Sequence, residues 1–186
     1  MSWFTYLVPL VGTDPVIIRR SGRKCQGQII KEDKDKLEKN LLSSSDDHLD
    51  LEIKEYTNKG RGISTKRDFL KGEFVAEYAG NLIDLKTAKK LETTYAMDPK
   101  IGCYMYYFRH NNKCMCIDAT DESERYGRLI NHSMKLPNCL SKVVILEGKP
   151  RLIFVAKTDI AAGTELLYDY GDKSKNSVLG NPWLLS

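Results

Sequence analysis

The stretch from Arg128 to Asp172 constrains this chain more than any other, because it holds two unusual clusters in a fixed order. The first is Arg128-Leu129-Ile130-Asn131-His132-Ser133, an apolar step running into an Asn-His-Ser triplet. The second is Glu165-Leu166-Leu167-Tyr168-Asp169-Tyr170-Gly171-Asp172, a short apolar run ending in two tyrosines and a glycine. Between them lie two strand-like runs, 141–146 and 151–156, joined by a Glu147-Gly148-Lys149-Pro150 turn signal. Each cluster alone is ordinary: a lone histidine is more often a satisfied structural residue than a catalyst, and a strand ending in Tyr-x-Tyr-Gly is usually core plus turn. The two in this order, separated by one hairpin, are far more specific.

The frame around this stretch is a single domain. A chain of 186 residues suits one globular domain with an appended segment and can bury a substantial core. A net charge of +4 with 29% charged residues is too mild for a dedicated nucleic-acid binder, which concentrates a stronger basic patch. No apolar run approaches the roughly 20 residues that span a bilayer, so no membrane partner is expected. Five cysteines, at positions 25, 103, 114, 116 and 139, form no clear disulfide or zinc framework and suit a reducing intracellular compartment.

Taken in order, residues 1–28 read as a flexible basic N-terminal segment. Trp3 to Val11 is apolar but lacks a basic flank and a clear cleavage site, so it is read as a disordered or artefactual start. Arg19-Arg20-Ser21-Gly22-Arg23-Lys24 suits nuclear import or phosphate contact, and equally a solvated arm. Residues 29–48 read as a flanking amphipathic helix and linker, with Ile29, Ile30, Leu37, Leu41 and Leu42 in a charged background. From Leu49 the apolar residues Leu49, Leu51 and Ile53 alternate as in a half-buried strand, before a turn at Gly60-Arg61-Gly62. A strand over 74–80 and a helix over 84–95, with Asp84 as N-cap, come next. Residues 104–108 and 113–117 flank a hairpin turn at His110-Asn111-Asn112, with Tyr104, Tyr106 and Phe108 on one face. Cys114 and Cys116 are expected on opposite faces, as buried small hydrophobes and not metal ligands. The succession of short strands with few helices implies an α+β, mostly β domain. In the tail, 173–186, Trp183 follows Pro182 and is expected to dock, since displaying that much apolar surface is unfavourable.

As a whole, the chain resembles the SET domain of protein lysine methyltransferases. Gly60-Arg61-Gly62, Glu77-Tyr78, Gly102 through Phe108, Asp118-Ala119-Thr120, Gly127 through Ser133, Asp159 through Gly163 and Glu165 through Asp172 match its pattern in order. The match covers about 49–172, and in detail is similar to the group of nuclear enzymes that monomethylate histone H4 at the lysine at position twenty. The resemblance implies small curved, β-clip-like sheets with a pseudoknot-like crossing between the Asn-His-Ser segment and the Tyr-Gly end. It implies S-adenosyl-L-methionine as methyl donor and a lysine entering from the opposite face through a narrow channel. The histone H4 tail and the nucleosome are the implied partners, with DNA contact through the basic N-terminal residues. A monomer in the nucleus, on chromosomes, with roles in chromatin and transcription regulation and the cell cycle, completes the picture. A catalytically inactive SET module that only binds histone or partner proteins is the alternative.

Methyl transfer explains the residue types. A neutral amine must attack a carbon beside a sulfonium in line, at about 3 Å, with water excluded. A solution lysine has a pKa of about 10.4, so an apolar aromatic channel that disfavours the ammonium helps. Tyrosines offer an apolar wall and one polar hydroxyl each. By resemblance, Tyr170 is the main catalytic tyrosine, and Tyr78, Tyr104 and Tyr168 complete the lysine channel. Asn131 and His132 bind the cofactor, Lys59, Gly60 and Arg61 hold its methionine portion with Tyr104 alongside, and Trp183 covers its adenine. Arg128 and Asp172 support the crossing. Many SET enzymes complete a zinc site with cysteines after the tyrosine motif; none follows Asp172 here, so no metal is expected. The Met134-Lys135-Leu136-Pro137 loop is about one residue longer than in the group it resembles.

Overall fold

Two tight turns organise much of the β-structure. The structure, a computed structural model, describes residues 26–57, 59–98, 101–102 and 104–170. Met105–His110 (β5) and Lys113–Asp118 (β6) form an antiparallel hairpin closed by Asn111 and Asn112, at φ 48° and 59°. Two left-handed central residues make a type I′ turn, whose twist matches that of the strands, and asparagine tolerates that conformation. Cys139–Leu146 (β8) and Lys149–Ala156 (β9) are closed the same way by Glu147 and Gly148, at φ 50° and 75°. That turn is shorter than its sequence suggests: Lys149 and Pro150 already belong to β9, with Pro150 opposite Ile145.

The other elements are helix α1 (Gln26–Leu42), strands β1 (Leu51–Tyr56), β2 (Gly60–Thr65), β3 (Phe74–Glu77) and β4 (Asn81–Asp84), helix α2 (Leu85–Tyr95), and the two-residue strands β7 (Asn131–His132) and β10 (Leu167–Tyr168). Among the described residues the strands form four small sheets: β1-β2, β3-β9-β8, β4-β6-β5 and β7-β10. The first three are antiparallel and the last is parallel. This is the α+β, mostly β class expected. The main core, with Leu51, Ile63, Phe69, Val75, Phe154 and Leu166 fully buried, draws on several of these sheets and extends to Tyr78 and Tyr168.

Helix α1 begins at Gln26, earlier than residue 29. Leu37 and Leu41, one turn apart, pack on Leu146, Ile153 and Val155. Each such side chain, fully buried, contributes about 1.5–3 kcal/mol. Leu42 stays exposed, and the side chains of Ile29 and Ile30 lie outside the described ones. Helix α2 starts as expected: the Asp84 carboxylate accepts a hydrogen bond from the Thr87 N–H at 2.7 Å. A cap of this kind contributes about 1 kcal/mol.

Two local expectations change. Leu49 sits on a short 3-10 turn, Asp47–Leu49, followed by Asp50 at φ 55°, so the strand begins only at Leu51. β1 then leaves the core, and Ile53 is 45% exposed although it stands opposite the fully buried Ile63. Cys114 and Cys116, two apart on one strand, share a face of β6 instead of opposing each other. Neither is in a disulfide; Cys116 is buried and Cys114 half-buried. Among the described residues no group of three or more His, Cys, Asp or Glu could hold a metal, and no helix is long and apolar enough to cross a membrane.

Candidate active site

The site is built on the crossing of β7 and β10. Asn131 lies beside Leu167 and His132 beside Tyr168 in a parallel pair. Parallel strands need a long connection, and here it contains the β8–β9 hairpin. Two residues per strand give a short ladder, so neighbouring groups extend it. The Ser133 N–H donates to the Tyr168 carbonyl at 3.1 Å, and the Asn138 N–H to the Leu167 carbonyl at 3.0 Å. The Asn138 side chain bonds both ways, accepting from the Leu167 N–H at 2.8 Å and donating to the Glu165 carbonyl at 2.7 Å.

The tyrosines gather on this crossing. Tyr168 is buried, with Phe154 at 4.5 Å, Tyr170 at 4.6 Å and Tyr106 stacked at 5.9 Å between ring centroids. Tyr78, also buried, lies 5.3 Å from Tyr106. Tyr170 is 36% exposed, yet its hydroxyl donates to the carbonyl of fully buried Ile130 at 3.2 Å. Its backbone N–H donates to His132 Nδ1 at 3.1 Å, and the two rings stand 4.9 Å apart. The buried imidazole thus orients Tyr170. Burial pushes the phenols of Tyr168, Tyr170 and Tyr106 above their ordinary range. These hydroxyls are neutral donors and acceptors at physiological pH, in surroundings that disfavour charge.

The structure thus brings Tyr78, Tyr168 and Tyr170 together, and adds Tyr106, which the sequence reading missed. Tyr106 shares a face with Tyr104 and lies within the Gly102-to-Phe108 match, but neither signal assigns it a role. Its hydroxyl donates to Ser141 Oγ on β8 at 2.8 Å. Tyr104 packs at the edge of the same core with the Arg128 guanidinium 3.8 Å from its ring centroid. Arg128, expected to support the crossing, instead covers Tyr104; it donates to the Thr120 carbonyl at 3.2 Å and pairs with Glu122 at 2.7 Å.

Lys59 and Arg61, expected to hold the cofactor's methionine portion, are each paired with a glutamate. Lys59 Nζ sits 3.0 and 3.2 Å from the Glu165 carboxylate oxygens. Asn131 Nδ2 donates to Glu165 Oε1 at 3.0 Å. Arg61 pairs with Glu122 at 2.5 Å, and hydrogen bonds from Arg61 and Arg128 hold the Glu122 carboxyl well down, at about 2. A Cβ on Gly62 would overlap the Asn131 amide and come within 2.8 Å of the Tyr56 ring, so β2 passes this close only with glycine there. Glu165, which opens the second sequence cluster, and Glu122, which lies in no motif, tie these groups together, and the sequence alone assigns neither a role.

A buried charge cluster braces the same region. Arg125 Nη2 donates to Glu77 Oε2 at 2.6 Å, and Arg151 Nη1 to Glu77 Oε1 at 3.0 Å. Arg125 Nε lies 3.1 Å from Asp46 Oδ1 without the alignment of a hydrogen bond, while its Nη1 donates to the Asn40 and Ser43 carbonyls. Burial raises the carboxyls of Asp46 and Glu77 against the lowering effect of Arg125. Two residues on, Gly127 packs so tightly that a Cβ would overlap the Glu77 carbonyl oxygen, beside Tyr78. The end of α1 is tied through this cluster to the strand that precedes Tyr78. Trp183, Asp172, Gly171 and the Arg19–Lys24 cluster lie outside the described residues.

Small antiparallel sheets around a parallel two-strand crossing that carries Asn-His-Ser and Tyr-x-Tyr are the architecture of SET-domain proteins. Residues 60–171 match the SET domain family, and this chain belongs to it. Among curated proteins it is 50% identical over 169 residues to histone-lysine N-methyltransferase set-1 of Caenorhabditis elegans, covering 91% of this chain and 69% of that protein. It is 47% identical over 172 residues to N-lysine methyltransferase KMT5A of Xenopus tropicalis, covering 92% of this chain and 50% of that protein. The chain thus spans about half the length of the frog relative. A crystal structure of CpSET8 from Cryptosporidium aligns with TM-score 0.62 and 51% identity, over 67% of this chain and 58% of that one.

Proposed function

We propose that this chain is an S-adenosyl-L-methionine-dependent protein-lysine N-methyltransferase that monomethylates histone H4 at the lysine at position twenty in nucleosomes. The observation that carries this reading is the convergence of Tyr78, Tyr106, Tyr168 and Tyr170 on the β7–β10 crossing, with the Tyr170 hydroxyl at the Ile130 carbonyl. The names of the relatives, histone-lysine and N-lysine methyltransferases, support the substrate class.

The residues present fit the methyl donor. Space is open where a side chain on Gly60 would stand, and its sequence neighbours Lys59 and Arg61 carry cations paired with Glu165 and Glu122, Glu165 also holding the Asn131 amide. The zwitterionic amino-acid end of S-adenosyl-L-methionine finds partners of both signs in such a set. When bound, it supplies a methyl group on a sulfonium, ready for in-line displacement. The protein's part is to position and to dry. Tyr78, Tyr106, Tyr168 and Phe154 form an apolar wall in which a lysine amine is favoured in its neutral, attacking form. Tyr170, oriented by His132, presents its hydroxyl and the Ile130 carbonyl as oxygens able to align the methyl through C–H···O contacts. Tyr104 borders this wall, steadied by Arg128. The Asn131-His132 segment and Trp183 contact the cofactor in this reading. A monomer acting on chromosomes in the nucleus, with basic residues of the N-terminal segment on nucleosomal DNA, is the form proposed.

The test is incubation with labelled S-adenosyl-L-methionine and nucleosomes, wild type beside Tyr170→Phe. Transfer to histone H4 by the wild type and loss of most of it in the variant is expected. No transfer by either sinks the enzyme reading, leaving an inactive histone-binding module.

A further inference from the structure

We propose that Glu165 is a positioning residue for the methyl donor, acting by fixing which end of the Asn131 amide faces the ligand; this rests on the function proposed above. Glu165 joins two segments that are remote in sequence. It accepts from Lys59 Nζ at 3.0 and 3.2 Å at the β1–β2 turn and from Asn131 Nδ2 at 3.0 Å on β7. Its own backbone is pinned: the Glu165 carbonyl accepts from Asn138 Nδ2 at 2.7 Å, and the residue bridges Ser64 of β2.

The chemistry of a carboxylate makes the orientation unambiguous. An asparagine side chain has a donor end and an acceptor end, and a packing environment alone distinguishes them poorly. An ionised carboxylate only accepts, so Asn131 must turn its NH2 toward Glu165. Its Oδ1 is then turned away as a fixed acceptor, suited to the α-ammonium of an amino-acid ligand. Gly62 and the Tyr56 ring close the amide from the β2 side, since a Cβ at position 62 would overlap Asn131 Nδ2. The amide is thus held both by hydrogen bonding and by shape. Glu165 also balances the Lys59 charge without removing it, leaving a cation close to where the ligand's carboxylate belongs.

The experiment is titration of S-adenosyl-L-homocysteine into the full chain by calorimetry, for wild type, Glu165→Gln, Glu165→Ala and Glu165→Met, with steady-state kinetics alongside. Glutamine keeps one acceptor but adds a donor end, so it no longer dictates the orientation of Asn131; alanine and methionine lose the acceptor, and methionine keeps the volume. We expect Kd to rise about tenfold or more in the alanine and methionine variants, the scale seen when a partner that orients a ligating side chain is removed. Glutamine should fall between wild type and methionine. The KM for S-adenosyl-L-methionine should rise with Kd, while the KM for the histone peptide stays put, a split that general loosening of the fold does not produce. If alanine proves unfolded, methionine carries the comparison. Wild type that binds while folded Glu165→Met binds within twofold of it overturns this proposal and leaves the methyltransferase reading intact. Glutamine that binds as tightly as wild type overturns it too, since an acceptor-only partner would then not be what fixes the amide. Wild type that binds no S-adenosyl-L-homocysteine overturns the functional reading, and this one with it.

Discussion

Arg125→Met should be the most informative change away from the tyrosines. It removes the cation between two buried carboxylates, Asp46 at 0% and Glu77 at 2% exposure, and fills the space with an apolar chain of similar reach. Deleting one partner of a buried ion pair costs about 3–5 kcal/mol, because the other charge remains desolvated. Here each carboxylate keeps one partner: Asp46 accepts from the Tyr126 N–H at 2.7 Å, and Glu77 keeps Arg151 at 3.0 Å. The low end, about 3 kcal/mol, is therefore expected, a large share of the roughly 5–15 kcal/mol that holds a domain together. With a typical urea m-value of about 2 kcal/mol/M, the midpoint should fall by about 1.5 M. The loss should also depend on pH. Burial already raises both carboxyls and Arg125 opposes that, so removing it lifts their folded pKa values further above the unfolded ones. A carboxyl raised on folding binds its proton more tightly in the native state. Its stabilising effect is complete below the unfolded value and is lost as pH rises through the folded one. The deficit of the variant should therefore be largest near pH 7–8 and shrink as pH falls toward about 4. Urea melts across that range measure it. A deficit under about 1 kcal/mol, or one that does not change with pH, refutes the role given to this cluster.

The remaining predictions concern the site and its substrate. Tyr168→Phe should keep the first methyl transfer and gain dimethylation. In this account the Tyr168 hydroxyl, with an ordered water, fills the space a first methyl needs, and displacing that water costs about 1–3 kcal/mol, with tenfold in rate for about each 1.36 kcal/mol. Mass spectrometry of the product at long times decides it, and dimethyl-lysine accumulating with the wild type would count against the idea. Gly127→Ala should destabilise by about 1–3 kcal/mol or more, because its Cβ meets backbone at Glu77 and not a side chain that can swing away. A thermal melt indistinguishable from wild type would contradict that packing. Methylation should be faster on nucleosomes than on free histone, with the advantage shrinking as salt rises if basic residues contact DNA. Equal, salt-insensitive rates on both substrates would rule the DNA contact out.

Much of this protein is written locally. Asp84 announced the start of α2 because a cap is a contact over three residues, and Asn111-Asn112 marked the β5–β6 turn because few residues adopt its left-handed angles. The Asn-His-Ser and Tyr-Asp-Tyr-Gly motifs, in their order around a hairpin, were enough to indicate the family. Features that depend on partners far along the chain were not legible. Strands of two residues, β7 and β10, have no periodicity to read, and their pairing exists only because the hairpin between them folds back. Ile53 alternates like a core residue yet stands in solvent, because alternation states which face a residue takes and not whether anything covers it. Tyr106 joined the tyrosine wall through Tyr78 and Ser141, one on β8 and one just past β3. Glu165 reaches Lys59 across 106 positions, and Arg125 reaches Glu77 across 48. In sequence these are ordinary charged residues, and only the fold gives each a partner and takes Arg125 and Glu77 out of water. Their roles were decided there, because desolvation and pairing belong to the environment and not to the residue.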